Sequence, residues 1–440
     1  MVSSEARFRE TFLHLKRPVE HGVIALSGGA DSVVLTWLLS RNRDLLAPGC
    51  PLEAVYVHHG LSAHADQWAE FCRNFAQSLG IGFTCMRVKL ENISGVGIEA
   101  AARAARYQAL ASCLKGPGSV LFAAHHANDQ AETMLLALKR GAGPAGLKAM
   151  TPVRDFASGR LIRPLLAVSR LEIEEIARRN GLSYVTDESN GDDRYDRNFL
   201  RHHIVPRLQE RFPGFLENVR LSAGYLAEAD ELASEIGSED QIRCRWDGGR
   251  IEISRLLELS PARASNVVRL CWRQTTGSMP SRSLVESVFG EILPARADAA
   301  PRFAEGGFSV RRFRDGLYLV RDDDLCHPRE MEVAEGCVFH LQGRGWILAR
   351  HDGPGFAARP ERLSFAVPYS TELHPYSRSK GRSIKKLFAE MNIPVWLRPA
   401  TPVVLAQDRI VGLFPALAER DCYVQSGGWI FRKVSASEGD

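Results

Sequence analysis

Cysteine pairs two residues apart are missing from this 440-residue chain, whose nine cysteines, at 50, 72, 85, 113, 244, 271, 326, 337 and 422, are scattered and odd in number. That distribution argues against a zinc knuckle or a disulfide framework and fits reduced thiols. No run approaches the roughly 18 apolar residues of a membrane span, and the opening Met-Val-Ser-Ser-Glu-Ala-Arg-Phe-Arg-Glu lacks the apolar core of a secretory signal. The expectation is a cytoplasmic protein without membrane contact. A dominant charge is lacking as well: 56 Lys and Arg against 52 Asp and Glu leave +4, which allows nucleic acid as a partner without requiring it. The Gly-x-x-x-x-Gly-Lys-Ser/Thr signature of a lysine-bearing P-loop is also absent.

What is present is an ordinary globular composition, 45% hydrophobic and 25% charged, in a chain long enough for two or three domains. Residues 22–27, 52–58, 83–88 and 119–124 read as short buried strands. Helix-period segments near 30–40, 64–80, 97–115 and 127–140 lie between and after them. This alternation predicts an α/β, Rossmann-like parallel sheet with helices on both faces. In such sheets ligands sit beyond the carboxyl ends of the strands, so the loops after the strands are where function should concentrate.

The first of these loops is Ser27-Gly28-Gly29-Ala30-Asp31-Ser32, entered from Val23-Ile24-Ala25-Leu26 and left through Val33-Val34-Leu35. Its glycines let the backbone approach a phosphate, the first helical N–H groups point at it, and two hydroxyls add donors. After the second strand comes Val57-His58-His59-Gly60-Leu61, read as polar loop residues beside a nucleotide. In Gly97–Tyr107, Glu99, Arg103 and Arg106 recur at i, i+4 and i+7, a charged face that is either solvated or aimed at phosphate or RNA. After the fourth strand, His125-His126-Ala127-Asn128-Asp129-Gln130-Ala131-Glu132-Thr133 sets Asp129 and Glu132 three apart at a helix start, facing the same way. Carboxylates there suit Mg²⁺ or a substrate ammonium group, while simple capping is the competing explanation.

Further on, Arg194, Arg197, Arg201, His202, His203 and Arg207 make a basic cluster around Pro206. Such a segment can hold phosphodiesters, or it is a solvated linker. Segments 214–237, 254–275 and 281–293 have helical period, and short strands return from about 326 in Val338–Leu341, Trp346–Ala349 and Val403–Leu405. The predicted domains are 1–212, a helical 213–325 and a mixed α+β 326–440. In the last, Ile384, Leu387, Phe388 and Met391 mark an amphipathic helix whose entrance and polar side carry Arg378, Lys380, Arg382, Lys385 and Lys386, with Arg398 beyond.

Ser-Gly-Gly-x-Asp-Ser resembles the pyrophosphate loop of the N-type ATP pyrophosphatases. Within that group the succession Ser27–Ser32, His58–Leu61, Gly97–Tyr107, His125–Thr133 with Lys139–Gly143, Arg163–Leu166, Asp187–Asn190 and Tyr195–Arg201 resembles the tRNA(Ile)-lysidine synthetase family. Lys385-Lys386-Leu387-Phe388 and Pro394-Val395-Trp396-Leu397-Arg398 are similar to the C-terminal domain of its longer members. One departure is Asn128, where the family commonly has the first of two adjacent aspartates.

The resemblance implies an enzyme that adenylates the wobble cytidine of a tRNA(Ile) with CAU anticodon and joins L-lysine to it, with ATP and Mg²⁺. It implies that Ser27, Gly28, Gly29, Ala30, Asp31, Ser32, His58 and Arg106 bind the nucleotide, and that Asp31 and Asp129 stand near the metal. Asp31, Asp129, Glu132, Arg197 and Arg201 form the catalytic set it implies. Arg103, Arg194, Arg207, Arg378, Lys380, Arg382, Lys385, Lys386 and Arg398 are its candidates for tRNA contact. A homodimer is compatible with this reading. The rivals are a tRNA thiolase, for which the scattered cysteines offer no obvious set, an amidating ligase, and a tRNA-binding module without catalysis.

Overall fold

A computed structural model describes residues 3–13, 15–60, 62–88, 98–186, 193–247, 249–296, 299–341 and 344–434. The chain divides into two compact units, Met1–Leu232 and Ala233–Asp440.

The first unit opens with α1 (Ser4–Leu13), β1 (His21–Ala25), α2 (Ala30–Arg41), β2 (Leu52–His58), α3 (Ala65–Ser78) and β3 (Gly82–Arg87). There follow α4 (Ile98–Ser112), β4 (Ser119–Phe122), α5 (Ala127–Lys139), α6 (Pro144–Leu147), the hairpin β5 (Val153–Phe156) and β6 (Gly159–Ile162), and α7 (Arg170–Arg179). The sheet order is β3-β2-β1-β4-β6-β5. All its pairs are parallel except β5 with β6. Side chains alternate between faces as a strand requires. Ile24 and Phe122 pack into one core with Phe8, Leu35 and Ile173, whereas Val23 and Leu121 pack into the other with Leu110 and Leu161.

The expected strands and helices are all found, with one correction. Strand 83–88, expected to be buried, is β3 at the sheet edge and mostly half-exposed, because only β2 pairs with it. From β1 the chain passes to β2 on one side and later returns to β4 on the other. The carboxyl ends of β1 and β4 therefore flank the topological switch point, the usual place for a ligand crevice.

The unit continues through α8 (Asp196–Phe199), a π-helical turn at Leu200–Ile204, α9 (Val205–Arg211) and the long α10 (Phe215–Arg243), which runs on into the second unit. That unit holds the helices expected at 254–275 and 281–293, as α11 (Ile253–Leu257), α12 (Pro261–Thr276), α13 (Arg282–Ser287) and a π-helical turn at Val288–Ile292. It also holds a four-stranded antiparallel sheet that the sequence pattern did not reveal. Its strands, in spatial order, are Arg250–Glu252, Gly316–Arg321, Phe308–Phe313 and Arg302–Glu305. Helices and sheet share one core around Trp272, Val268, Val310 and Leu317.

Beyond it lie two antiparallel five-stranded sheets, one through Val403–Ala406 and Arg409–Leu413, the other through Arg344–His351 and Gly428–Lys433. The amphipathic helix is α14 (Ile384–Glu390). Ile384, Leu387 and Phe388 are buried and Met391 packs beside them, as the spacing predicts.

Candidate active site

The loop after β1 is held in a closed shape by its own polar groups. Ser27 N–H donates to Ser32 Oγ at 3.2 Å, Ser32 Oγ donates to the Gly29 carbonyl at 3.0 Å, and the two serine hydroxyls stand 3.2 Å apart. Gly28 has φ +87°, and a Cβ there would lie 2.8 Å from Val185 Cγ2. Both backbone conformation and space therefore require glycine. Val185 N–H in turn donates to the Gly28 carbonyl at 2.9 Å, fastening a remote segment to the loop. Gly29 caps α2 without a side chain, so the first-turn N–H groups have no partner within the helix and are available to an anion.

Opening from this loop is a cleft of about 420 Å³ lined by Ser27, Gly29, Asp31, Ser32, His59, Arg106, Tyr107, His125 and Val185, with apolar walls from β1, β2 and β4. Its size falls in the range of small-molecule sites.

At the start of α5, His126 and Asp129 cap the helix reciprocally. His126 Nδ1 accepts from Asp129 N–H at 3.3 Å and Asp129 Oδ2 accepts from His126 N–H at 3.0 Å. Capping is thus one real role of Asp129, but its other oxygen is used differently. Asp129 Oδ1 accepts from Arg197 Nη2 at 2.8 Å and from Arg201 Nη2 at 3.1 Å. Glu132, with no exposed side-chain surface, accepts from Arg197 Nε at 2.7 Å and from Arg201 Nε at 2.9 Å.

Each arginine thereby grips both carboxylates. Arg197 and Arg201, four apart across α8 and the π-helical turn, share one face. Burial works against the ionised form of Asp129, but His126 and Arg197 outweigh it and keep this carboxylate below its ordinary range.

Asp31 is placed differently. Its Oδ1 stands 3.7 Å from His126 Nε2, and burial pushes its carboxyl upward from the ordinary value, with Asp129 adding repulsion and His126 opposing. Arg170 and Arg201 also act on it from further off, but burial outweighs them, and the carboxylate is partly buried without an ion pair to either arginine.

The loop, Asp31, Asp129, Glu132, Arg197, Arg201 and Arg106 all belong to the first unit. His58 turns away from the cleft. Its Nδ1 accepts from Gly60 N–H at 3.2 Å and its Nε2 faces Asp66 at 3.4 Å, while His59 takes a place in the wall. Arg103 and Arg106 lie over the Tyr107 ring, at 5.1 and 5.7 Å from its centre. Arg106 is pushed down by burial, and Arg103 is exposed.

Asn128 bonds away from the acidic cluster. Its amide donates to Gln209 Oε1 and its carbonyl accepts from Arg170 N–H, each at 3.0 Å, so it ties α5 to α7 and α9. The Glu99 side chain and Asp187–Asn190 lie outside the described residues. Arg194 and Arg207 are exposed.

In the second unit Lys380, Lys385 and Lys386 are exposed, whereas Arg378 and Arg382 reach Glu390 at 2.9 and 3.4 Å. Arg398 donates to the Ile393 carbonyl at 3.3 Å.

His59 lines the cleft as a polar loop residue, in keeping with its place after the second strand, whereas nothing in the sequence pattern marks individual roles for His125, His126 or Arg163. His125 Nδ1 accepts from Arg163 Nε at 3.3 Å, and burial brings the imidazole down to about 3, so it is neutral. Both residues stood in quoted motifs. Their mutual contact joins positions 38 apart, which no local pattern displays.

The glycine loop between the first strand and its helix, at the switch point of a largely parallel sheet, defines a pyrophosphate-loop nucleotide-binding protein. Accordingly a PP-loop domain family model matches residues 3–208, a TilS substrate binding domain model 252–318 and a TilS substrate C-terminal domain model 363–414. The tRNA(Ile)-lysidine synthase of Shigella flexneri is 40% identical over 404 residues, spanning 88% of this chain and 90% of its own. That of Vibrio cholerae serotype O1 strain N16961 is 40% identical over 92% of each chain, and that of Vibrio parahaemolyticus 37% identical over 98% and 100%. Among solved structures, the U34-tRNA thiolase NcsA of Methanococcus maripaludis is similar at a TM-score of 0.43 and 19% identity, over 51% of this chain and 78% of that one. The chain belongs to the tRNA(Ile)-lysidine synthase family.

Proposed function

We propose that this chain joins L-lysine to the wobble cytidine of tRNA(Ile) with a CAU anticodon, using ATP and working in the cytoplasm. The observation that carries the reading is the meeting of the pyrophosphate loop with Asp31, the Asp129/Glu132 pair and Arg197/Arg201 in one unit of a chain that matches lysidine synthases over almost its whole length.

The cytosine C2 carbonyl oxygen attacks the α-phosphorus of ATP, and the bond to pyrophosphate breaks. The lysine ε-amine then attacks C2, the C2–O bond breaks with release of AMP, and the amine gives up a proton. In this scheme Ser27, Ser32 and the N–H groups around Gly29 and Ala30 receive the pyrophosphate. Arg106 lies in the cleft wall where a nucleotide phosphate or base comes to rest. Most of the catalysis is electrostatic stabilisation and positioning of phosphate charge, and no covalent enzyme nucleophile is needed.

Asp31 fits a magnesium ion, because it is a partly buried carboxylate with no arginine at ion-pair distance among the described residues. Magnesium usually takes only one or two carboxylates, completing its shell with water and phosphate. Among the described residues no group of three or more His, Cys, Asp and Glu forms a metal cage, which is compatible with that pattern. Asp129, already holding two arginines and a backbone N–H, is the less available second ligand. When bound, the ion would neutralise phosphate charge. Glu132 and Asp129 would receive the lysine ammonium group only by exchanging an arginine contact for it, since Arg197 and Arg201 already neutralise both carboxylates.

Asp31→Ala tests the assignment. Pyrophosphate release should fall below one hundredth of wild type, with tRNA retention on a filter little changed. Near-normal lysidine formation by this variant would sink the role given to Asp31.

A further inference from the structure

A cleft of about 820 Å³ in the second unit, against 420 Å³ for the nucleotide cleft, has had no role so far. Its walls come from the four-stranded sheet, the turn after α14 and the strands around Trp346 and Lys433. Three of the chain's seven tryptophans, Trp246, Trp346 and Trp396, line it.

Cations accompany two of these indoles. Lys433 Nζ stands 5.7 Å from the centre of the Trp346 ring, and the Arg311 guanidinium 5.4 Å from that of Trp396. Charge in the lining is predominantly positive, with Arg250, Arg321, Arg344 and Lys433 against Asp247 and Asp324. Trp396 Nε1 is buried and has no hydrogen-bond partner, so an indole donor is left for an acceptor atom. Tyr318 and Phe313 stand edge-on to the same ring at 5.5 and 6.2 Å and hold it in place.

Aromatic faces interleaved with cations are the arrangement that binds single-stranded nucleic acid, the rings taking bases and the cations taking phosphates. A paired base is already stacked within its helix, so a concave site of this kind admits an unpaired one. We propose that this cleft binds an unpaired nucleotide of the tRNA outside the anticodon loop, its base against Trp396, the more exposed of the two indoles, and its phosphates held by Arg344 and Lys433. The inference rests on the lysidine synthase reading, which commits the wobble cytidine to the first unit. This cleft therefore takes another nucleotide and serves to hold the substrate rather than to react with it.

The test is chemical probing of tRNA(Ile) bound to the full chain, with dissociation constants measured alongside, for wild type, Trp396→Phe and Trp396→Leu. Wild type and Trp396→Phe should shield an unpaired nucleotide outside the anticodon loop. Trp396→Leu should expose it, keep the anticodon-loop footprint and bind tRNA about tenfold more weakly, the lower part of the range for losing one stacked base. Unchanged footprint and affinity in Trp396→Leu would overturn the proposal.

Should Trp396→Leu not fold, the surface pair Arg344→Ala with Lys433→Ala decides. It should lower the slope of log affinity against log salt by about two and relax the same footprint. An unchanged slope and footprint contradict the site. Wild type that shields no part of the anticodon loop would instead count against the function proposed for the whole chain.

Discussion

Arg197 Nε stands 2.7 Å from Oε2 of Glu132, a carboxylate with no exposed surface and a second arginine, Arg201, 2.9 Å from its other oxygen. The residues that the family resemblance sorts into phosphate binders and lysine binders are thus one mutually neutralising lattice. Removing one member of a buried charged set typically costs about 3–5 kcal/mol, because its partners are left uncompensated. Glu132→Ala should destabilise the first unit by about that amount in urea unfolding and abolish lysidine formation. A variant as stable as wild type would show that the lattice is not the buried unit described above.

Gly28 supports a prediction about shape rather than charge. Gly28→Ala meets Val185 at 2.8 Å and must hold φ near +87°. Left-handed backbone costs a non-glycine residue roughly 1–2 kcal/mol. Pyrophosphate release should fall at least tenfold, and adding Val185→Ala should restore part of it, since that relieves the clash but leaves the backbone strain. Full activity in Gly28→Ala would mean that the loop is not held as described.

Charge on the C-terminal helix is distributed less evenly than its composition implies. Arg378 and Arg382 are engaged by Glu390, whereas Lys385 and Lys386 stand exposed on the face away from the core. Lys385→Ala with Lys386→Ala should weaken tRNA binding and lower its salt slope by about two, with Arg378→Ala changing the slope by less than one. Equal effects from the two variants would contradict the difference.

His125 gives a pH dependence with a definite sign. Its ordinary value near 6.5 falls to about 3 through burial, so below pH 6.5 the unfolded chain binds a proton that the folded one refuses. The stability it lends is complete above pH 6.5 and is lost as pH falls toward 3. At about 1.4 kcal/mol per pH unit, acidification from pH 6.5 to about 5 should cost wild type roughly 2 kcal/mol more than His125→Asn. Parallel losses in the two proteins would contradict a neutral buried imidazole.

Much of the first unit was legible because its signals are local. A buried apolar strand, a glycine turn and a helix start follow one another within a dozen residues, and the periodicities of α2 to α5 gave their places. The four-stranded sheet of the second unit was not legible. Arg-Phe-Ala-Glu and Phe-Ser-Val-Arg-Arg-Phe mix charge with apolar residues, because this sheet has only one face in the core and Arg312 turns back to donate to the Ala295 carbonyl. The carboxylate spacing showed that Asp129 and Glu132 share a face. Nothing local showed that Arg197 and Arg201, 65 to 72 positions further on, close over them. Of the two adjacent histidines, the spacing also could not tell that His59, rather than His58, faces the cleft.

In the proposed reaction ATP is split between its α- and β-phosphates to activate a base that lysine then attacks. The direct measurement is the stoichiometry of one reaction containing the full chain, tRNA(Ile), labelled L-lysine, ATP and Mg²⁺. Equal amounts of AMP, pyrophosphate and tRNA-bound lysine should form, and none of the three should accumulate without tRNA. Release of ADP and phosphate in place of AMP and pyrophosphate, or AMP formation with no lysine entering the tRNA, would rule this reaction out.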